Sequence, residues 1–150
     1  MPRILIVDDD ASIRSLLRVI AQRKGLSVDE ASNGSECLGR LNRETYDAVV
    51  LDLSMPIVNG YDVISRLGNE RRRPAIIVVT ALPRSAYAGL DPDVVSCVIR
   101  KPFDVDILAS MIAKVAAEMK TKRVMRGRRR TDAAHNRNLV EPNGIEPSTS

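Results

Sequence analysis

Five side chains in this sequence have the type and placing to do phosphate or metal chemistry: Asp8, Asp9, Asp52, Thr80 and Lys101. Each lies at the end of a short aliphatic run. Ile4-Leu5-Ile6-Val7 leads into Asp8 and Asp9, Ala48-Val49-Val50-Leu51 into Asp52, and Ala75 to Val79 into Thr80. The run Val94 to Ile99 ends at Lys101-Pro102. Three carboxylates brought together repel one another, and ionised together they are stable only around a cation. Hard oxygen donors with few other ligands suit Mg²⁺, which keeps several waters and takes one or two carboxylates. A lysine beside Asp52 would pair with it at rest, and with a phosphoryl oxygen if Asp52 carried one. The Thr80 hydroxyl at a strand end can reach an incoming anion. Ordinary readings stand beside these. Asp10 is placed to cap the first helix and favour its dipole, threonine is common in strands, and most lysines are solvated. It is the recurrence at strand ends that favours a shared site.

The elements that must position these residues follow from periodicity. Five β-rich runs alternate with helical patterns. The first helix carries Ile13, Leu16, Leu17 and Ile20 and stops near Gly25. Leu26-Ser27-Val28 is a weaker second strand, with no clear chemistry at its end. Ser35 to Leu41 reads as a short helix. Val63, Ile64 and Leu67 mark a third helix after the loop Ser54–Gly60. Pro83 to Leu90 reads as a poor, short helix, and Val105, Leu108, Met111, Ile112 and Val115 mark a final amphipathic helix to about Met119. Continuous aliphatic strands alternating with helices imply a parallel sheet covered on both faces. In such open sheets ligands bind beyond the carboxyl ends of the strands, where all five residues fall. Pro102 orients the turn after Lys101, and the bond between them is a candidate for the cis form.

The ordered set Asp8-Asp9, Asp52 with Met55-Pro56 and Asn59-Gly60, Thr80-Ala81 and Lys101-Pro102-Phe103 resembles the receiver domain of two-component response regulators, over about residues 2–119. The resemblance implies an α/β, flavodoxin-like fold: a doubly wound five-stranded parallel sheet with five helices in a three-layer α/β/α sandwich. It implies a stand-alone, phosphorylation-dependent switch of the chemotaxis-regulator kind. Asp52 would accept a phosphoryl group from a histidine kinase or histidine phosphotransfer protein. Asp9 and Asp52 would ligate Mg²⁺ directly, with the backbone carbonyl of Ser54, and Asp8 would act mainly through water. Lys101 and Thr80 would contact the phosphoryl oxygens. Such a receiver catalyses its own phosphorylation and dephosphorylation without being a turnover enzyme. Many receivers carry Tyr or Phe three residues before the lysine. Here that position is Val98, which argues for a subtler repacking on switching or for signalling through a different face.

Composition bounds the rest. The chain has 150 residues, 44% of them hydrophobic, with three Tyr, one Phe and no Trp, so its core is aliphatic and it offers no base-stacking platform. The net charge is +4, and residues 1–120 hold as many acidic as basic groups, so the excess belongs wholly to residues 121–150. Residues 1–120 are therefore expected to form the domain, and 121–150 a basic, disordered tail. Cys37 and Cys97 fit no metal or redox spacing and read as reduced thiols. No apolar run approaches the roughly 20 residues needed to cross a bilayer, and no signal peptide is evident. A cytoplasmic protein is expected, acting by protein–protein contact as a monomer or weak phosphorylation-dependent dimer, with no membrane partner. The neutral domain argues against a nucleic-acid partner. The alternatives are an unphosphorylated receiver-like docking module, or nucleic-acid binding through the basic tail.

Overall fold

The computed structural model describes residues 1–140, with side chains to residue 129. Five strands form one parallel sheet: β1 (Arg3–Val7), β2 (Ser27–Ala31), β3 (Ala48–Leu51), β4 (Ala75–Thr80) and β5 (Val95–Arg100), in the order β2-β1-β3-β4-β5. The helices are α1 (Ala11–Arg23), α2 (Gly34–Arg43), α3 (Gly60–Gly68) and α4 (Val105–Val140). The expected fold class is present, with four α-helices rather than five among the described residues. Between β4 and β5 there is one 3-10 turn, Arg84–Ala86, where a short helix was expected. That segment holds Pro83, Gly89 and Pro92, none of which favours a continuous helix, and the turn buries no residue.

Successive side chains along a strand point to opposite faces, and two apolar clusters show that alternation. Ile4, Ile6, Ala48, Val50, Ile77 and Val79 face one side with Leu17, Ile20, Leu108 and Ile112. Leu5, Val7, Val49, Leu51, Ile76 and Val78 face the other with Cys37, Val63, Ile64 and Leu67. The central strands are buried on both faces, which is why they read as unbroken aliphatic runs. Strand β2 is an edge strand, and it carries Asp29 and Glu30 in its middle.

The described chain divides into two units, Met1–Met119 and a second that begins at Lys120. The last helix does not end near Met119; it continues to Val140. Residues 120–140 are rich in Lys and Arg, contain Gly127 and no proline, and are followed by Pro142. Residues 122–140, expected as part of a basic tail, are thus a continuation of that helix. The remainder of that expectation, 141–150, lies outside the described residues. No helix among the described residues is long and apolar enough to cross a membrane.

Candidate functional site

Strand register brings the acids together. Val7 lies opposite Leu51, so Asp8 and Asp52 leave neighbouring strands side by side. The ladder reaches one residue further on each: the Asp52 amide donates to the Val7 carbonyl at 3.0 Å, and the Asp8 amide to the Ala31 carbonyl at 3.3 Å. One carboxylate oxygen from each of Asp8, Asp9 and Asp52 lies within 4.8 Å of the other two. Asp8 and Asp52 are buried and Asp9 is exposed. Asp10 turns away from the cluster to cap α1, accepting from the amides of Ser12 at 2.9 Å and Ile13 at 3.3 Å.

Lys101 arrives from the other side of the sheet. Its amide donates to the Thr80 carbonyl at 2.8 Å, and the Lys101–Pro102 bond is cis. Its Nζ lies 2.9 Å from Asp8 Oδ2 and 3.6 Å from Asp52 Oδ2. Thr80 is fully buried, and its Oγ1 accepts the Leu82 amide at 3.1 Å. The Ser54 amide donates to Asp52 Oδ1 at 3.2 Å, which holds the start of the β3–α3 loop against the carboxylate. Gly60 makes that loop possible. A Cβ there would collide with the Asp52 carbonyl oxygen and lie 2.6 Å from Leu53 Cα. The same loop holds Ile57 at a φ of 70°, a left-handed conformation that is costly for a β-branched residue.

The charges are poised against one another. Burial raises the Asp52 carboxyl above its usual range, and Asp8 and Asp9 add to this, against the opposing pull of Lys101 and the Ser54 amide. Burial alone would lower the Lys101 ammonium, but the hydrogen bond to Asp8 and the charge of Asp52 outweigh it, and the net shift is upward. Lys101 therefore stays charged, while Asp52 is a crowded anion with one cation partner among three acids. Three oxygen donors of this kind, two of them buried, fit a small hard cation. A divalent ion would reverse the upward pressure on Asp52.

The residues expected at the site, Asp8, Asp9, Asp52, Thr80, Lys101 and Ser54, all lie at this one edge of the sheet. Two others escaped sequence reasoning. Arg14 of α1 donates from Nη1 to the Asp8 carbonyl at 2.7 Å, and its Nε lies 3.3 Å from Glu30 Oε1. The available signal was Glu30 just after the aliphatic part of the second strand, whose pairing with α1 needs the three-dimensional register.

The family model for the response regulator receiver domain matches residues 4–113. Among curated proteins, the chain is 37% identical over 107 residues to the transcriptional regulatory protein ResD of Bacillus subtilis, covering 67% of this chain and 42% of ResD. It is 34% identical over 145 residues to the probable transcriptional regulator ycf27 of Porphyridium aerugineum, covering 95% of this chain and 55% of that protein. The chain thus spans about half the length of these relatives. Among solved structures, the response regulator protein TrrA of Thermotoga maritima, in complex with Mg²⁺–BeF, is 34% identical with a TM-score of 0.69, covering 77% of this chain and 99% of that one. A sensor protein from Polaromonas is 30% identical with a TM-score of 0.71, covering 79% and 98%.

Proposed function

The chain belongs to the response regulator receiver domain family of two-component systems, and on that premise we propose that Asp52 is the phosphoacceptor of a signalling switch. The donor is the phosphohistidine of a histidine kinase or a histidine phosphotransfer protein. An Asp52 carboxylate oxygen bonds to phosphorus as the phosphorus–nitrogen bond breaks. The imidazole leaves with that electron pair and takes up a proton from water. Positioning and charge neutralisation carry such a transfer.

Mg²⁺, held by Asp9, Asp52 and the backbone carbonyl of Ser54, with Asp8 acting mainly through water, supplies charge neutralisation when bound. Lys101 leaves its resting pair with Asp52 to meet a phosphoryl oxygen, while its contact with Asp8 keeps it near. Thr80 donates its hydroxyl proton to a second phosphoryl oxygen, and in turning it releases the Leu82 amide. That release starts the repacking that replaces an aromatic swing at Val98. The acyl phosphate is labile, and the same site hydrolyses it.

Residues 1–120 form the receiver and 121–150 a basic appendage. The protein acts in the cytoplasm through contact with a downstream protein, as a monomer or a weak phosphorylation-dependent dimer. The observation that carries this reading is the meeting of Asp8, Asp9 and Asp52 within 4.8 Å beside the Lys101 ammonium. Incubation with acetyl phosphate and Mg²⁺, followed by borohydride trapping and peptide mass spectrometry, tests it. Reduction of the Asp52 acyl phosphate to a homoserine side chain with release of phosphate, absent from Asp52→Asn and from metal-free samples, is expected. Full labelling of Asp52→Asn refutes the assignment.

A further inference from the structure

We infer that Arg14 is a positioning residue that sets the affinity of the acidic cluster for its divalent cation, by holding the peptide between Asp8 and Asp9. The inference rests on the reading of that cluster as a Mg²⁺ site.

The backbone geometry gives the reason. The Asp8 carbonyl and the Asp9 amide belong to one planar peptide unit. Asp8 is fixed on three sides: its amide donates to the Ala31 carbonyl, its Oδ1 accepts the Asp10 amide at 2.9 Å, and its Oδ2 accepts Lys101 at 2.9 Å. Asp9 is exposed and lies one residue beyond the last ladder bond of β1. The Arg14 Nη1 bond to the Asp8 carbonyl, at 2.7 Å, fixes the plane of the peptide that aims Asp9. Asp9 can meet Asp8 and Asp52 around a cation only if that plane is held.

Arg14 is itself oriented. Glu30 bridges two guanidinium groups, with Oε1 at 3.3 Å from Arg14 Nε and Oε2 at 2.6 Å from Arg18 Nε. A guanidinium can serve a carbonyl through one nitrogen and a carboxylate through another, because its donors form a rigid planar fork. A lysine cannot do both in that geometry. Arg14 is also the least exposed of the three, at 18% against 29% for Glu30 and 37% for Arg18.

Charge and position make opposite predictions. A cation near a metal site repels the metal, so deleting the charge of Arg14 would tighten Mg²⁺ binding if charge were what mattered. Loss of an orienting partner loosens it, by about tenfold or more in metal sites generally. The experiment is Mg²⁺ titration by calorimetry on the full chain, with metal-free melting temperature recorded for each variant. Arg14→Gln and Arg14→Lys are expected to bind Mg²⁺ about tenfold more weakly than wild type. Arg18→Gln, which breaks the same carboxylate bridge without touching Asp8, stays within about twofold of wild type, well short of the loss expected from an orienting partner. Glu30→Gln gives an intermediate loss, and adding it to Arg14→Lys weakens binding no further. The Asp9 amide resonance should move in both Arg14 variants and not in Arg18→Gln. Should Arg14→Gln fail to fold, Arg14→Lys and Glu30→Gln carry the same test. Unchanged or tighter binding in a folded Arg14 variant overturns the inference alone. A wild-type chain that takes up no Mg²⁺ overturns the metal reading and the inference together.

Discussion

Removing the charge of Asp52, the proposed phosphoacceptor, should make the metal-free protein more stable, not less. Asp52 is buried, with one carboxylate oxygen within 4.8 Å of one from each of Asp8 and Asp9. At 4.8 Å and an effective dielectric constant of about 20, each such repulsion amounts to about 3.5 kcal/mol. The compensating attraction is to Lys101 at 3.6 Å, about 4.6 kcal/mol on the same scale. Asp9 is exposed, so solvent screens much of its share, and the net relief on neutralising Asp52 falls to about 1–2 kcal/mol. The upward shift of the Asp52 carboxyl has the same sign. Asp52→Asn keeps the shape and the Lys101–Asp8 pair, and for a domain of this size it should raise the metal-free melting temperature by about 3–6 °C. Mg²⁺ should then reverse the order. A ligand at a hundred times its dissociation constant stabilises by about 2.7 kcal/mol, and only the wild type should gain it. Thermal melts of both proteins in EDTA and across a Mg²⁺ series read both effects. A metal-free Asp52→Asn protein less stable than wild type by a kilocalorie or more, or one that gains as much from Mg²⁺ as wild type does, refutes the picture of a repulsive cluster awaiting a cation.

Three further outcomes are expected. Gly60→Ala forces a methyl group against the backbone of Asp52 and Leu53, which cannot swing aside as a side chain can, and should cost about 1–3 kcal/mol with loss of acetyl phosphate labelling. The control Gly39→Ala, in α2 with open space around it, should gain about 0.5–1 kcal/mol by denaturant unfolding and label normally. Burial pushes the Cys37 thiol up to about 12, so at pH 8 a thiol reagent should modify it only after unfolding, and rapid native labelling mapped to Cys37 would show that α2 does not hold it against the sheet. Burial would raise the Asp29 carboxyl, but hydrogen bonds from Tyr46 and Arg3 outweigh it and hold it below its usual range. The stability it contributes is present above the unfolded value and is lost as pH falls through the folded one, so Asp29→Asn should flatten the decline in stability below about pH 4.

What the sequence made legible follows from burial. Strands β1, β3 and β4 are covered on both faces, so they stand out as aliphatic runs, and a parallel register aligns their ends. Reading the residue after each run then finds Asp8, Asp52 and Thr80 directly. Where one face or one edge meets water, the signal fades. Strand β2 hides because Asp29 and Glu30 occupy it, and they belong there for reasons visible only in three dimensions: Asp29 meets Arg3 and Tyr46, and Glu30 meets Arg14 and Arg18. The end of α4 was misplaced because apolar periodicity stops at Met119, whereas helix propensity does not. The missing helix before β5 is the converse case, since Leu82, Tyr87 and Leu90 supply apolar contacts without a helical backbone.

That last difference bears on how the proposed switch would work without an aromatic at position 98. Val98 packs in the same cluster as Leu82, Tyr87 and Leu90, and a small side chain there has no large rotamer change to offer. The segment between β4 and β5 is a chain of local turns, in which the amides of Ala86, Tyr87, Ala88, Leu90 and Val94 donate to carbonyls three or four residues back. Among the described residues, three bonds tie it to the rest of the fold: the Thr80 hydroxyl accepts the Leu82 amide at 3.1 Å, Tyr61 of α3 donates to the Ala86 carbonyl at 2.6 Å, and Arg73 donates to the Asp93 carbonyl at 2.8 Å. Thr80 is the one of these anchors that lies in the candidate site. A turn of its hydroxyl toward a phosphoryl group on Asp52 would release the near end of the segment while Tyr61 and Arg73 hold the middle and far end. The displacement would then be greatest at Ala81 and Leu82 and would fade toward Val94. Tyr61→Phe, which removes the second anchor without touching the cluster, should therefore widen the set of amides whose resonances move on treatment with beryllofluoride, extending it past Ala86. An unchanged set would mean that the segment moves as a rigid piece and that the Tyr61 hydroxyl bond plays no part in confining it.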